Sequence, residues 1–312
     1  MTMKRRQFLN HLGAVSCSLG VAGASQVARG QRSVGPPMIG TNTYPWLTFA
    51  RREGNELTLH TDELLGKIRT TGIVGYEPII NQPGEVEGLQ ERLQKHSLSM
   101  PSIYVNSVLH DPRQVEDSVG SVIEIAKAVK PLGTKIIVTN PSPIRWGGDE
   151  DKDDAQLRLQ AKSLDQLGVQ LRGMGMQLAY HNHDAELRAG GREFHHMLSA
   201  TDPQNVKFCL DAHWVFRGCG DSEVAVFDVV RLYHDRIIEL HLRQSAGGVW
   251  TESFSAQGDI DYVRLFSELD QRGIEPLMVL EQAVEEASTV KLSATAAHRI
   301  SRDQLAAALW VR

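Results

Sequence analysis

Four short apolar runs in the second half of the chain each end in side chains able to bind a metal. They are Leu178-Ala179-Tyr180-His181-Asn182-His183, Val206-Lys207-Phe208-Cys209-Leu210-Asp211, Ile237-Ile238-Glu239-Leu240-His241 and Leu277-Met278-Val279-Leu280-Glu281. Amphipathic stretches of helical length separate them. Apolar runs of this size alternating with helices predict buried parallel strands, and ligands of such sheets collect at the carboxyl ends.

The same pattern extends over eight predicted strands: 38–43, 73–77, 102–106, 135–139, 177–181, 206–211, 237–241 and 277–281. Helical periodicity fills the gaps. It is carried by Glu63, Leu64, Leu65 and Ile68, by Val119, Val122, Ile123, Ala126 and Val129, and by Leu157, Leu164, Leu167 and Leu171. Gly72, Gly133, Gly175 and Gly273 each stand a few residues before a strand, where a helix cap belongs. Eight β-then-α units in about 270 residues predict an α/β fold, a single (β/α)8 TIM barrel over 36–312. An open doubly wound sheet is the alternative, but no Gly-x-Gly-x-x-Gly follows the first strand.

Strand parity places the chemistry. If Leu210, Leu240, Leu242 and Leu280 face the helices, then Asp211, His241 and Glu281 point into the barrel, and His181 and His183 do so as well. Two carboxylates and an imidazole, joined by a His or Glu from the neighbouring strand, make a nitrogen–oxygen site. It suits one divalent metal ion, Mn, Zn, Co or Fe, rather than a sulfur site. Burying those charges without a cation would be costly.

Residues 1–30 read differently. Lys4-Arg5-Arg6 precedes a weakly apolar stretch from Leu12 to Val27 without acids or bases, and Ala22-Gly23-Ala24 offers a small-x-small cleavage site. This predicts a cleavable twin-arginine signal peptide and short linker, hence periplasmic localisation, use of the twin-arginine export machinery and no stable membrane insertion after cleavage. An anchoring helix is the alternative, but the run is short and glycine-rich. Cleavage near residue 24 removes three cations and takes the formal charge from −5 to −8, which counts against a nucleic-acid partner. Cys209 and Cys219 then remain, and both are expected as free thiols.

The residues resemble a known family at this point. Asp211, His241 and Glu281, with Tyr180-His181-Asn182-His183-Asp184 and Glu186, His241-Leu242-Arg243, and Gly258-Asp259-Ile260-Asp261-Tyr262, look like an exported, twin-arginine branch of the xylose-isomerase-like TIM-barrel sugar (phosphate) isomerase/epimerase superfamily. The resemblance implies one divalent ion held by Glu, Asp, His and Glu, with the two glutamates as an acid/base pair. Asp211, His241 and Glu281 match three of these places. His181 occupies the place where the first glutamate usually ends its strand. Glu186 is therefore expected to fold back as fourth ligand and second catalytic carboxylate beside Glu281, with His183 and then His181 as alternatives.

Substrate contacts are expected from His181, His183, His213, Arg243, Glu77, Asn106, Tyr44 and Trp46, with core packing as the alternative for each aromatic and for His213. His195 and His196 read as surface residues. The ligand set implies removal of a proton α to a carbonyl through an enediolate, and so epimerisation or isomerisation of an unphosphorylated sugar, polyol or keto-glycoside. A β-leaving group would turn the same chemistry into a lyase or dehydratase reaction. A non-catalytic periplasmic carbohydrate-binding barrel is a further alternative, and self-association into a homo-oligomer stays open. A metal-dependent endonuclease would need a multi-metal cluster and a basic groove, which the acidic balance opposes.

Overall fold

The structure, a computed structural model, describes residues 38–310; the expected signal segment lies outside them. Eight parallel strands form the barrel: β1 (Ile39–Asn42), β2 (Gly75–Glu77), β3 (Ser102–Tyr104), β4 (Ile136–Thr139), β5 (Gln177–His181), β6 (Val206–Asp211), β7 (Ile237–Leu242) and β10 (Leu277–Leu280). The sheet runs β2-β1-β10-β7-β6-β5-β4-β3. It closes between β2 and β3 through isolated bridges, Gly75 to Ser99 and Ile79 to Tyr104. All eight predicted strands are present, and β2 and β3 are shorter than predicted at this seam, where bridges replace a continuous ladder.

The leucines sort as parity requires. Leu210, Leu240, Leu242 and Leu280 lie in the large apolar layer between strands and helices, while Val138, Ala179 and Cys209 form part of a small separate cluster with Tyr104 and Ile136. A register shift between Phe208 and Cys209 sets Cys209 opposite Glu239 and Asp211 opposite His241.

Two strand-end residues also cap the helices that follow. Asn42 accepts a hydrogen bond from the Tyr44 amide at the start of helix Thr43–Arg52, and Asp211 accepts one from Trp214 at the start of helix Ala212–Gly218. Tight strand-to-helix turns thus hold both side chains at the barrel mouth. Between β7 and helix Tyr262–Gln271 the chain adds a hairpin, β8 (Ser245–Ala246) with β9 (Val249–Trp250), absent from the predicted strands. Its turn is Gly247-Gly248, with φ of +61° and +79°, a conformation glycine adopts without the Cβ clash of other residues. Among the described residues no helix is long and apolar enough to cross a membrane.

Candidate active site

His181, Asp211, His241 and Glu281 converge at the carboxyl ends of β5, β6, β7 and β10, and one potential ligand atom from each lies within 4.8 Å of the others. His181 Nε2 is 3.9 Å from Asp211 Oδ2 and 4.0 Å from Glu281 Oε2, and His241 Nδ1 is 3.4 Å from Glu281 Oε2. All four side chains are buried, yet both nitrogens of His181, both of His241 and Asp211 Oδ2 have no hydrogen-bond partner; of the His241 pair, Nδ1 faces the group and Nε2 lies 3.0 Å from Glu77 Oε2. Buried polar atoms are normally paired, so unpartnered donor atoms facing one another suit a cation. The residues therefore fit a divalent ion with two nitrogen and two oxygen ligands.

The surrounding groups fix this set in place. Asn182 clamps the Asp211 backbone, accepting from its amide and donating to its carbonyl, both at 3.1 Å. Glu281 Oε1 accepts from Asn42 Nδ2 at 2.5 Å and Oε2 from Arg243 at 2.9 Å. Arg243 Nε also reaches the Glu281 carbonyl, and the guanidinium lies 4.2 Å from the Trp250 ring and 4.9 Å from the Trp214 ring, with Tyr44 beyond. Stacking keeps the buried Arg243 charge beside Glu281.

Electrostatics separate the carboxylates. Burial alone would raise Glu281, but the His241 and Arg243 cations outweigh it and hold it well below its ordinary range. Asp211 is pushed up to about 7, chiefly by burial, with Arg243 opposing and Glu281 reinforcing the shift. Burial likewise holds His181 well below its usual value, His183 at about 4 and His213 at about 3. His241 moves the other way: burial would lower it, but Cys209, Glu77 and Glu281 raise it. Since burial also keeps the Cys209 thiol protonated, the two glutamates are the anions that retain the His241 proton.

The fourth corner differs from the sequence expectation. His181 occupies it, ending β5 with inward parity. Glu186, in the short turn Ala185–Leu187, instead accepts from the His183 amide at 2.6 Å. It is pushed up to about 7, first by burial and then by Glu193.

Other expected contacts divide. His183 sits half-buried between Trp146 and Trp214, beside His181. His213 Nε2 is 2.9 Å from the Ser245 hydroxyl, which donates to Asp259. Glu77, expected to meet substrate hydroxyls, is buried, with Oε2 3.0 Å from His241 Nε2. Trp46, for which a substrate contact and core packing were both open, packs: it stacks on His298 in the layer outside the barrel, donating to Thr41. Asn106 is exposed and donates to Asn81 over 3.4 Å. Tyr44 and Trp250 also line a cleft of about 540 Å³ with Arg51, Arg52 and Glu285.

Sequence reasoning missed Asn42, Asn182 and Glu239. Glu239 was findable, because it shares the inward parity of His241 two residues on; burial and the Glu77 charge raise it to about 7. Asn182 carries no such signal, since its role depends on the neighbouring strand.

Comparison with known proteins agrees with this fold. Residues 67–306 match the family described as xylose isomerase-like TIM barrel. An inosose dehydratase of Clostridium perfringens is 23% identical over 248 residues, 70% of this chain and 81% of the relative. Among solved structures, a sugar phosphate isomerase/epimerase from Parabacteroides distasonis superposes with a TM-score of 0.70 at 15% identity, covering 90% of this chain and 98% of the other. A 3-keto-D-glucoside 4-epimerase from E. coli gives 0.60 at 16% identity, covering 88% and 100%. With its eight-stranded parallel barrel and a profile match spanning most of its length, the chain belongs to the xylose isomerase-like TIM barrel family.

Proposed function

We propose that this protein is a divalent-metal-dependent enzyme that removes a proton α to the carbonyl of an unphosphorylated sugar, polyol or keto-glycoside and returns it to the opposite face of that carbon, as an epimerase, or to the neighbouring carbon, as an isomerase. One observation carries the reading: the buried His181, Asp211, His241 and Glu281 group, whose donor atoms face one another largely without partners. A divalent ion held there supplies Lewis acidity to a carbonyl and its neighbouring hydroxyl. Glu281, kept ionised by His241 and Arg243, is the base that accepts the proton. Arg243 restrains that carboxylate from the side, and Asn42 restrains its other oxygen. His183, with Nδ1 unpartnered, and Tyr44 and Trp250 on the rim contact the sugar.

The buried cations near the mouth support an uncharged substrate, because both are already committed: Arg243 to Glu281 and Lys152 to Glu193. A second reading, elimination from a keto-sugar or keto-glycoside, is favoured by the inosose dehydratase relative. Loss of a β-hydroxyl after the same proton abstraction needs an acid to protonate the leaving oxygen. The paired Arg5-Arg6 supports twin-arginine export to the periplasm.

Turnover in heavy water tests the reaction. Incubated with manganese and a panel of keto-sugars and keto-glycosides, the protein is expected to place deuterium on the carbon beside the carbonyl of a true substrate. Turnover without solvent exchange, with direct intramolecular hydrogen transfer, would sink the proposal and favour a hydride shift.

A further inference from the structure

His241 presents its two ring nitrogens to different surroundings. Nδ1 faces the ligand group, 3.4 Å from Glu281 Oε2. Nε2 faces the barrel interior, 3.0 Å from Glu77 Oε2 and 3.7 Å from Glu239 Oε1. Glu77 reaches it from β2, which β1 and β10 separate from β7 in the sheet, so the contact spans the barrel lumen. Glu239 Oε1 is itself held by the Ser102 hydroxyl at 2.9 Å, whereas neither Glu77 oxygen has a hydrogen-bond partner, and its 3.0 Å approach to His241 Nε2 is an ion-pair contact. Glu77 and Glu239 are both almost wholly buried.

A neutral imidazole carries one N–H and one lone pair, and its neighbours decide which nitrogen has which. Around Nε2 stand two carboxylates, one of them with no other partner, so the proton belongs there. Nδ1 is then the lone pair turned toward Asp211, His181 and Glu281. A carboxylate behind a ligating histidine fixes the tautomer, aims the ring and raises its basicity.

We infer that Glu77 is a positioning residue: it holds the His241 Nε2–H across the barrel lumen and so commits Nδ1 to the metal. The inference rests on the metal-centre reading above and adds to it the atom through which His241 binds. It also explains why a glutamate at a strand end, a place typical of substrate contacts, is buried against His241.

The test uses the full chain loaded with zinc, which is diamagnetic. Nitrogen-15 NMR of the imidazoles should show His241 protonated at Nε2 and ligated through Nδ1. Competition with a chelator should show Glu77→Gln binding zinc roughly ten- to a hundred-fold more weakly than wild type. Zinc uptake by the wild type with ligation through Nε2, unchanged affinity in Glu77→Gln, or a second zinc lost in that variant would each overturn the assignment of Glu77 alone. No zinc uptake by the wild type would overturn the metal-centre reading beneath it. If Glu77→Gln fails to fold, the wild-type NMR decides.

Discussion

Two acidic regions of this barrel are built on opposite rules. In the hairpin region after β7, the carboxylates are saturated. Asp259 accepts from Ser245 and from the Gly247 and Gly248 amides, Glu285 from Arg217 and the Trp250 amide, and Glu252 from Arg52, Thr289 and the Lys291 and Leu292 amides. Inside the mouth, Asp211 Oδ2 and both nitrogens of His181 and His241 are buried without partners. The contrast lies in Asp211 and the histidines: Glu281, like the hairpin acids, accepts from donors, Asn42 and Arg243, whereas Asp211 keeps one buried oxygen without a hydrogen-bond partner beside His181, as a cation ligand would on the proposed reading. The charge states follow. Glu252 is drawn down to about 2, its backbone donors and Arg52 overcoming burial, while Asp211 rises to about 7.

The largest effect is expected at Glu281. Glu281→Gln keeps the shape but removes the base, and turnover should fall roughly a hundred- to ten-thousand-fold. Steady-state kinetics at saturating metal measures it, and an unchanged kcat would move the base elsewhere in the mouth.

Metal affinity should depend steeply on pH. Asp211, raised to about 7, and His241, raised above its usual value, both hold protons near neutrality in the metal-free protein. Binding must displace these protons, so affinity should fall roughly tenfold per pH unit for each one as the pH drops below 7. Calorimetry in buffers of different ionisation enthalpy reads the proton release. A pH-independent affinity would mean that the donors were never protonated, and the contrast with the hairpin acids would vanish.

Two substitutions should shift stability in opposite directions. Glu252 ties helix Thr43–Arg52 to the segment before helix Ala294–Trp310, and Glu252→Gln should cost about 2 kcal/mol at pH 7. Because its pKa falls from 4.5 to about 2 on folding, its contribution is complete above 4.5 and disappears as the pH falls toward 2. The difference between variant and wild type should therefore narrow over that window in denaturant titrations. Glu186 behaves inversely. Its pKa rises from 4.5 to about 7, so ionising it costs stability progressively from pH 4.5 upward, with the full cost above 7. Metal-free Glu186→Gln should gain relative to wild type between pH 4 and pH 8, and a loss at pH 8 would place Glu186 among the saturated acids.

The regions also differ in how far the sequence revealed them. Period-two alternation encodes facing directly, so Leu210 with Asp211, Leu240 with His241 and Leu280 with Glu281 were enough to place three members of the mouth group. Turn chemistry is nearly as local: Gly72, Gly133, Gly175 and Gly273 all adopt the positive φ of a helix cap. Contacts across the lumen are not local. Nothing near Glu77 in the chain signals that it meets His241, and nothing near Trp46 signals its stacking on His298. Glu186 was misplaced because sequence distance fails to show whether a loop folds back to the mouth or bonds its own backbone, as it does here with the His183 amide. The hairpin acids were invisible for the same reason, their donors lying up to 200 residues away, as with Arg52 and Glu252.

Metal content tests the central claim most directly. Elemental analysis of the purified wild-type protein, after loading with manganese or zinc and removal of free ion, should give one ion per chain. Asp211→Ala and His241→Ala should give none, while circular dichroism shows the barrel still folded. A wild-type chain that retains no ion, or full occupancy in both variants, would contradict the assignment of the buried His181, Asp211, His241 and Glu281 group as a metal centre.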